Sequence, residues 1–180
     1  VLVSEDSVLT AGHCGCGTGG SYSATLGNAI VPVTVQSVFV FPGFRCSETS
    51  IAQPGRDLAL LKLSTSLTIE PPPIATIWEA RSQNSSRVKI VGFGLTETGS
   101  TGQQFEAKIP VQSWTCIEGW AIQQGCSSFR EFILSEPGAQ PSDSCGGDSG
   151  GPVFSGPDNQ WLVGITSRGL STGQRAPTRG

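Results

Sequence analysis

Short apolar runs, separated by turn residues at close intervals, are what most limits the folds open to this chain. In "VPVTVQSVFVF" alternate residues are apolar, so Val31, Val33 and Val35 share one face of an extended segment. "LALLKL" (58–63), "VKIVGFG" (88–94), "FEAKIPV" (105–111) and "WLVGITS" (161–167) read as strands in the same way. Only "SWTCIEGWAIQQ" (113–124) has helix-compatible spacing, which predicts one short helix. Regularly spaced short strands belong to all-β barrels or sandwiches. The segment "SLTIEPPPIATIW" holds three consecutive prolines and is expected to be extended, connecting two halves. Charged residues make up only 14% of the chain and glycines number 24, which also favours strands and turns over long helices.

The bulk properties exclude several classes of partner. A net charge of −3 supplies no basic surface for nucleic acid or an anionic membrane. No apolar run approaches the ~18 residues that span a bilayer. At 180 residues the chain has enough surface to bury for a substantial core. Six cysteines suggest an oxidising compartment. None has zinc-site spacing, since Cys14 and Cys16 lie one residue apart and His13 is the sole histidine. The segment Gly15 to Phe41 contains no carboxylate, so it offers no calcium loop. The sequon at Asn84-Ser85-Ser86 is usable only in a eukaryotic secretory pathway. With no methionine and a start at Val1, the chain is expected to be a processed product or a fragment.

Three blocks carry chemistry, in the order "LTAGHC" (9–14), "RDLALLKL" (56–63) and "CGGDSGGPV" (145–153). A serine hydroxyl is a weak nucleophile unless a base removes its proton, and imidazole is suited to that task near neutral pH. A buried carboxylate can fix the imidazole tautomer and stabilise its cation. Each block alone has an ordinary reading, as a packed histidine, a turn aspartate and a flexible glycine turn. Together they place His, Asp and Ser in one of the chain orders such triads adopt.

On these blocks the chain resembles the trypsin-like (chymotrypsin-fold) serine peptidases, from Val1 to about Gly169. The resemblance implies an all-β fold of two packed six-stranded barrels, about 1–70 and about 75–180, with the active site in the cleft between them. It implies His13 as general base, Asp57 as its orienting partner and Ser149 as nucleophile, with the N–H groups of Gly147 and Ser149 forming an oxyanion hole. Ser167, in "GITSRG", falls where the family has a serine bonded to the triad aspartate. Asp143 and Ser144 fall in the primary pocket, and Gly169 where the family keeps its wall open. A carboxylate at Asp143 implies cleavage after Arg or Lys. The expected partners are a polypeptide substrate and protein inhibitors. The resemblance further implies a secreted monomer with no cofactor, no metal, no nucleic acid and no membrane.

The chain departs from the family pattern in several places. Val1 lies downstream of the expected "Ile-Val-Gly-Gly" terminus, whose ammonium would pair with Asp148, and "APTRG" stops before the last strand and terminal helix. This implies a fragment lacking both natural ends, with a poorly formed oxyanion hole. The expected partner of Cys14 lies upstream of Val1, and that of Cys145 is missing from "RGLSTG". Leu134 stands where a partner of Cys116 is expected, leaving Cys126 as a substitute, and Cys16 with Cys46 is a further pairing. Val88 and Ser155 occupy both ends of another family bridge. Arg168 replaces an aromatic beside the substrate strand, where it would repel a basic substrate residue or pair with Asp143. Thr178 replaces a pocket glycine and would narrow the site. Two other readings compete with the peptidase: a non-catalytic homologue acting as a binding module, and an esterase with a G-x-S-x-G elbow. The triad order argues against the esterase.

Overall fold

The computed structural model describes residues 1–16, 20–26, 29–46, 53–82, 86–96, 99–135, 144 and 146–169. They form two five-stranded antiparallel sheets. The first contains β1 (Leu2–Ser4), β2 (Ser7–Thr10), β3 (Gly20–Leu26), β4 (Ala29–Val40) and β5 (Ala59–Leu63), in the order β1-β2-β5-β4-β3. The second contains β6 (Arg87–Gly92), β7 (Phe105–Ser113), β8 (Ile133–Leu134), β9 (Pro152–Ser155) and β10 (Trp161–Ile165), in the order β10-β9-β6-β7-β8. The fold is all-β, as the alternation predicts, with five strands in each sheet among the described residues against the six expected. Among the described residues three short α-helices accompany the sheets, α1 (Gly12–Gly15), α2 (Ile77–Ser82) and α3 (Gly119–Gln123), with a 3-10 turn at Pro157–Asn159.

Alternation decides which faces are buried. Val33 and Val35 are buried on β4, while Pro32 and Thr34 between and beside them are exposed. The β4–β5 register then shifts between Val35 and Ser37, a bulge with Gln36 as the extra residue. The shift turns Val38 toward the core with Val33, Val35 and Leu63, and leaves Phe39 exposed. In the second sheet Val88, Ile90, Ile109 and Val153 form the buried centre, with Trp114 and Phe132 stacked beside it at 5.5 Å between ring centroids. Each fully buried Val or Ile stabilises the fold by about 1.5–3 kcal/mol. Val88 and Ser155 are both fully buried on the paired strands β6 and β9, and the Ser155 hydroxyl has no hydrogen-bond partner among the described residues.

The proline-rich connection forms no strand before Ile74, which bridges Leu162, and it does not stay extended through Trp78. At Thr76 the chain turns into α2. The Thr76 hydroxyl accepts from the Glu79 amide at 3.2 Å, and the Glu79 carboxylate accepts from the Thr76 amide at 2.7 Å. This reciprocal capping box starts a helix that apolar spacing does not announce.

Two disulfides staple the loops, Cys16–Cys46 across 30 residues and Cys116–Cys126 across 10. Chain-entropy estimates put their contributions at roughly 3–4 and 2–3 kcal/mol respectively. Cys14 is a free thiol, and Cys145 lies outside the described residues.

Candidate active site

Strand register brings the histidine and aspartate blocks together. β2 pairs with β5 so that Thr10 faces Ala59, and continuing that register sets Gly12 opposite Asp57. Past Thr10 the chain turns into the single turn of α1, which carries His13. Gly12 allows this approach: a Cβ there would sit 3.0 Å from the Leu58 amide nitrogen and 3.1 Å from Asp57 Oδ1. The result is a two-point contact. The His13 amide donates to Asp57 Oδ1 at 2.8 Å, and His13 Nδ1 lies 2.8 Å from Asp57 Oδ2.

The second sheet delivers the serines by the same logic. β9 and β10 pair with Pro152 opposite Ile165, and the ladder runs on through Thr166 N–H to Gly151 O at 2.9 Å and Gly150 N–H to Thr166 O at 2.8 Å. Ser149 and Ser167 are therefore neighbours, and the Ser149 hydroxyl donates to the Ser167 carbonyl at 3.4 Å. The Ser167 hydroxyl crosses to the other sheet and donates to Asp57 Oδ2 at 2.5 Å. Asp57 is buried and accepts from three donors at once. Nδ1 of His13 must then carry its proton, which leaves the Nε2 lone pair available as a base.

The serine turn itself rests against both sheets. Gly147 and Gly150 adopt φ of +98° and +82°, values that side chains strain to reach. A Cβ on Gly150 would lie 2.2 Å from Thr10 Oγ1, so the turn packs directly on the end of β2. Cys14 also reaches across, its thiol donating to the Ser149 carbonyl at 3.6 Å. Burial, then the Asp57 charge, push the Cys14 thiol above its ordinary range.

The family resemblance gives Asp148 a chain-terminal ammonium as its partner. In the structure its Oδ1 accepts from the Gly94 amide at 2.8 Å. It is seated on two glycines: a Cβ at Gly92 would fall 1.9 Å from Asp148 Oδ1, and one at Gly94 2.6 Å from it. These glycines belong to "VKIVGFG", whose apolar pattern announces a strand and nothing more. A pair of glycines one residue apart at a strand end is the signal for such a close approach.

The pocket residues are placed unevenly. Ser144, Ser167 and Gly169 line a cleft of about 1020 Å³ together with Asp57, Phe41 and Phe132. Among the described residues a Cβ at Gly169 would meet nothing within 4 Å. Asp143 and Thr178 lie outside the described residues. Among the described residues Arg168 pairs with Glu131, while its expected partner Asp143 lies outside them. Arg168 forms a two-pronged ion pair with Glu131, with one nitrogen 3.1 Å from Glu131 Oε2 and the other closing on Oε1. It also donates to the Gly125 carbonyl at 3.0 Å. Burial would push the Glu131 carboxyl up, but Arg168 and the amides of Gly55 and Ser127 outweigh it and hold it below the usual carboxylate range. The physical reason is proximity: a planar guanidinium binds best where a carboxylate matches its fork.

Comparison with known proteins places this geometry in a family. The Trypsin family model matches residues 1–179. Proproteinase E of Bos taurus is 28% identical over 187 aligned residues, which cover 92% of this chain and 70% of that protein. Chymotrypsin-like elastase family member 3B of Homo sapiens is 28% identical over 183 residues, covering 92% of this chain and 65% of that protein. The chain thus spans about two thirds of the length of these relatives. With its two antiparallel sheets and this family match, the chain belongs to the trypsin family of serine peptidases and has the double-barrel chymotrypsin fold.

Proposed function

We propose that the protein is a serine endopeptidase that hydrolyses peptide bonds through an acyl-enzyme. The observation that carries this reading is the buried Asp57 carboxylate, which accepts from both His13 Nδ1 and the Ser167 hydroxyl while Ser149 lies against Ser167. In the first half-reaction the Ser149 hydroxyl leaves the Ser167 carbonyl for His13 Nε2. Its Oγ attacks the scissile carbonyl carbon as Nε2 takes the proton. The carbonyl oxygen becomes an oxyanion held by the N–H groups of Gly147 and Ser149. Collapse breaks the C–N bond, and Nε2 returns the proton to the departing amine. Water then repeats the sequence on the ester and releases a carboxylic acid. No cofactor enters these steps.

Cleavage after Arg or Lys rests on Asp143, six residues before Ser149. At 28% identity the elastase and proproteinase names of the relatives carry less weight for specificity than the carboxylate that the serine-block motif supplies at Asp143. The two disulfides among the described residues support a site of action outside the reducing cytosol. The family match supports polypeptide substrates, and the proposed enzyme is a monomer open to protein inhibitors.

The test is labelling with a serine-directed fluorophosphonate mapped by mass spectrometry. Ser149 is expected to carry the label, and Ser149→Ala to abolish it; a wild-type protein that folds but stays unlabelled moves the reading to a non-catalytic binding module. Specificity is tested separately. Asp143→Ser is expected to lower kcat/KM for Arg and Lys substrates at least ~30-fold, the loss typical of an unpaired buried charge contact, while Ser149 still labels. An unchanged preference for basic residues removes Asp143 from that role.

A further inference from the structure

The Glu131–Arg168 pair sits where the two sheets meet beside Asp57, and its partners come from both. One Glu131 carboxylate takes the Arg168 fork, the Ser127 amide at 2.7 Å and the Gly55 amide. Arg168 directly follows Ser167, whose hydroxyl bonds Asp57 and whose carbonyl accepts from Ser149. Gly55 lies two residues before Asp57. The turn that holds it is pressed against the second sheet's loop: a Cβ there would meet Ser127 Oγ at 2.4 Å and Arg130 Cδ at 2.9 Å. Arg130 also stacks its guanidinium 5.9 Å from the Phe41 ring. The carboxylate is thus the shared anchor of two backbone segments that carry Asp57 and Ser167.

We infer that Glu131 is a positioning residue: by gripping Gly55 and Arg168 together, it sets the separation of the Asp57 turn and the Ser167 strand, and so the alignment of Asp57 on His13. The inference rests on the peptidase reading above and adds a residue to it. Both side chains are mostly buried, at 13% exposure for Arg168 and 17% for Glu131, so water does not readily replace the lost contacts. Glutamine at this position cannot serve the same partners. Its amide nitrogen would face either the guanidinium or a backbone N–H, all of them donors, and one contact must open.

Glu131→Gln is expected to lower kcat about 10- to 100-fold with KM nearly unchanged, the size of loss that follows small misplacement of reacting groups. Arg168→Lys keeps the charge without the fork and is expected to lose an intermediate amount. The double variant is expected to be no worse than Glu131→Gln, because the two residues act as one unit. A second readout does not depend on turnover. His13 is the sole histidine, so its Nδ1 proton gives an unambiguous NMR signal, expected to move upfield in folded Glu131→Gln as the bond to Asp57 loosens. Folded variants with wild-type kcat and an unmoved His13 signal overturn the inference. If Glu131→Gln does not fold, the same two readouts on Arg168→Lys decide it. Failure of the peptidase reading looks different: wild-type Ser149 stays unlabelled, while the His13 signal still reports whether Glu131 aligns Asp57.

Discussion

Replacing Asp57 by Asn is expected to lower kcat/KM about 10⁴-fold in a protein that still folds, a loss equivalent to about 5 kcal/mol of transition-state stabilisation. The reason lies in the donor count. Asp57 Oδ1 accepts the His13 amide, and Oδ2 accepts both His13 Nδ1 and the Ser167 hydroxyl. An amide nitrogen in the Oδ2 position is a third donor aimed at two others. His13 can relieve the clash only by moving its proton to Nε2, where the proposed mechanism needs the lone pair for Ser149. Turning the amide over sets its nitrogen against the His13 N–H instead and leaves that buried donor unpaired. Ser149→Ala and His13→Ala are the reference losses of similar or larger size, and combining either with Asp57→Asn is expected to add little, because the three act as a unit. Steady-state kinetics on folded variants check this; a loss below tenfold would remove Asp57 from the catalytic group.

The second large effect is expected at a residue with no chemistry of its own. Gly92→Ala would put a methyl group 1.9 Å from Asp148 Oδ1, far inside contact distance. The same oxygen is held close on a second side, since it accepts from the Gly94 amide and a Cβ at Gly94 would lie 2.6 Å from it. Asp148 must therefore move, and the backbone from Gly147 to Ser149 moves with it. Since the proposed oxyanion donors are the N–H groups of Gly147 and Ser149, kcat is expected to fall about 10²- to 10³-fold, the typical result of removing one such donor. Gly119→Ala is the matched control, because a Cβ there meets nothing within 4 Å. It is expected to leave kcat unchanged. A Gly92→Ala protein with wild-type kcat would show that Asp148 does not govern the serine turn.

Different parts of the molecule were legible to different degrees. The strands β4, β5, β6, β7 and β10 follow the alternation of apolar residues, since a half-buried strand must put every second side chain inward. The short helix expected within 113–124 is α3, confined to Gly119–Gln123. Helix α2 was not anticipated, because three prolines dominate the segment before it. Its only local signal is the Thr76–Glu79 box, a pattern of hydrogen bonds rather than of hydrophobicity. The bulge at Gln36 is equally silent, since inserting one residue into a ladder leaves composition unchanged.

The candidate site divides along the same line. His13, Asp57 and Ser149 stand out because each sits in a local motif whose residue types the chemistry demands. So does the serine turn, where glycines at +98° and +82° are needed within a few residues of Ser149. Glu131 and Arg168 lie 37 residues apart, in stretches that share no motif. Fifteen pairings of six cysteines are open to the sequence, and only folding brings Cys16 to Cys46 and Cys116 to Cys126. The seat of Asp148 on Gly92 and Gly94 likewise joins residues more than fifty positions apart. The sequence by itself determined the strand periodicity and the chemical identity of the proposed triad, because both are encoded within a few neighbouring residues. The tertiary structure alone decided the disulfide partners, the cradle of Asp148 and the Glu131 anchor, because each joins residues from separate stretches of chain that only folding brings together, which no local pattern specifies.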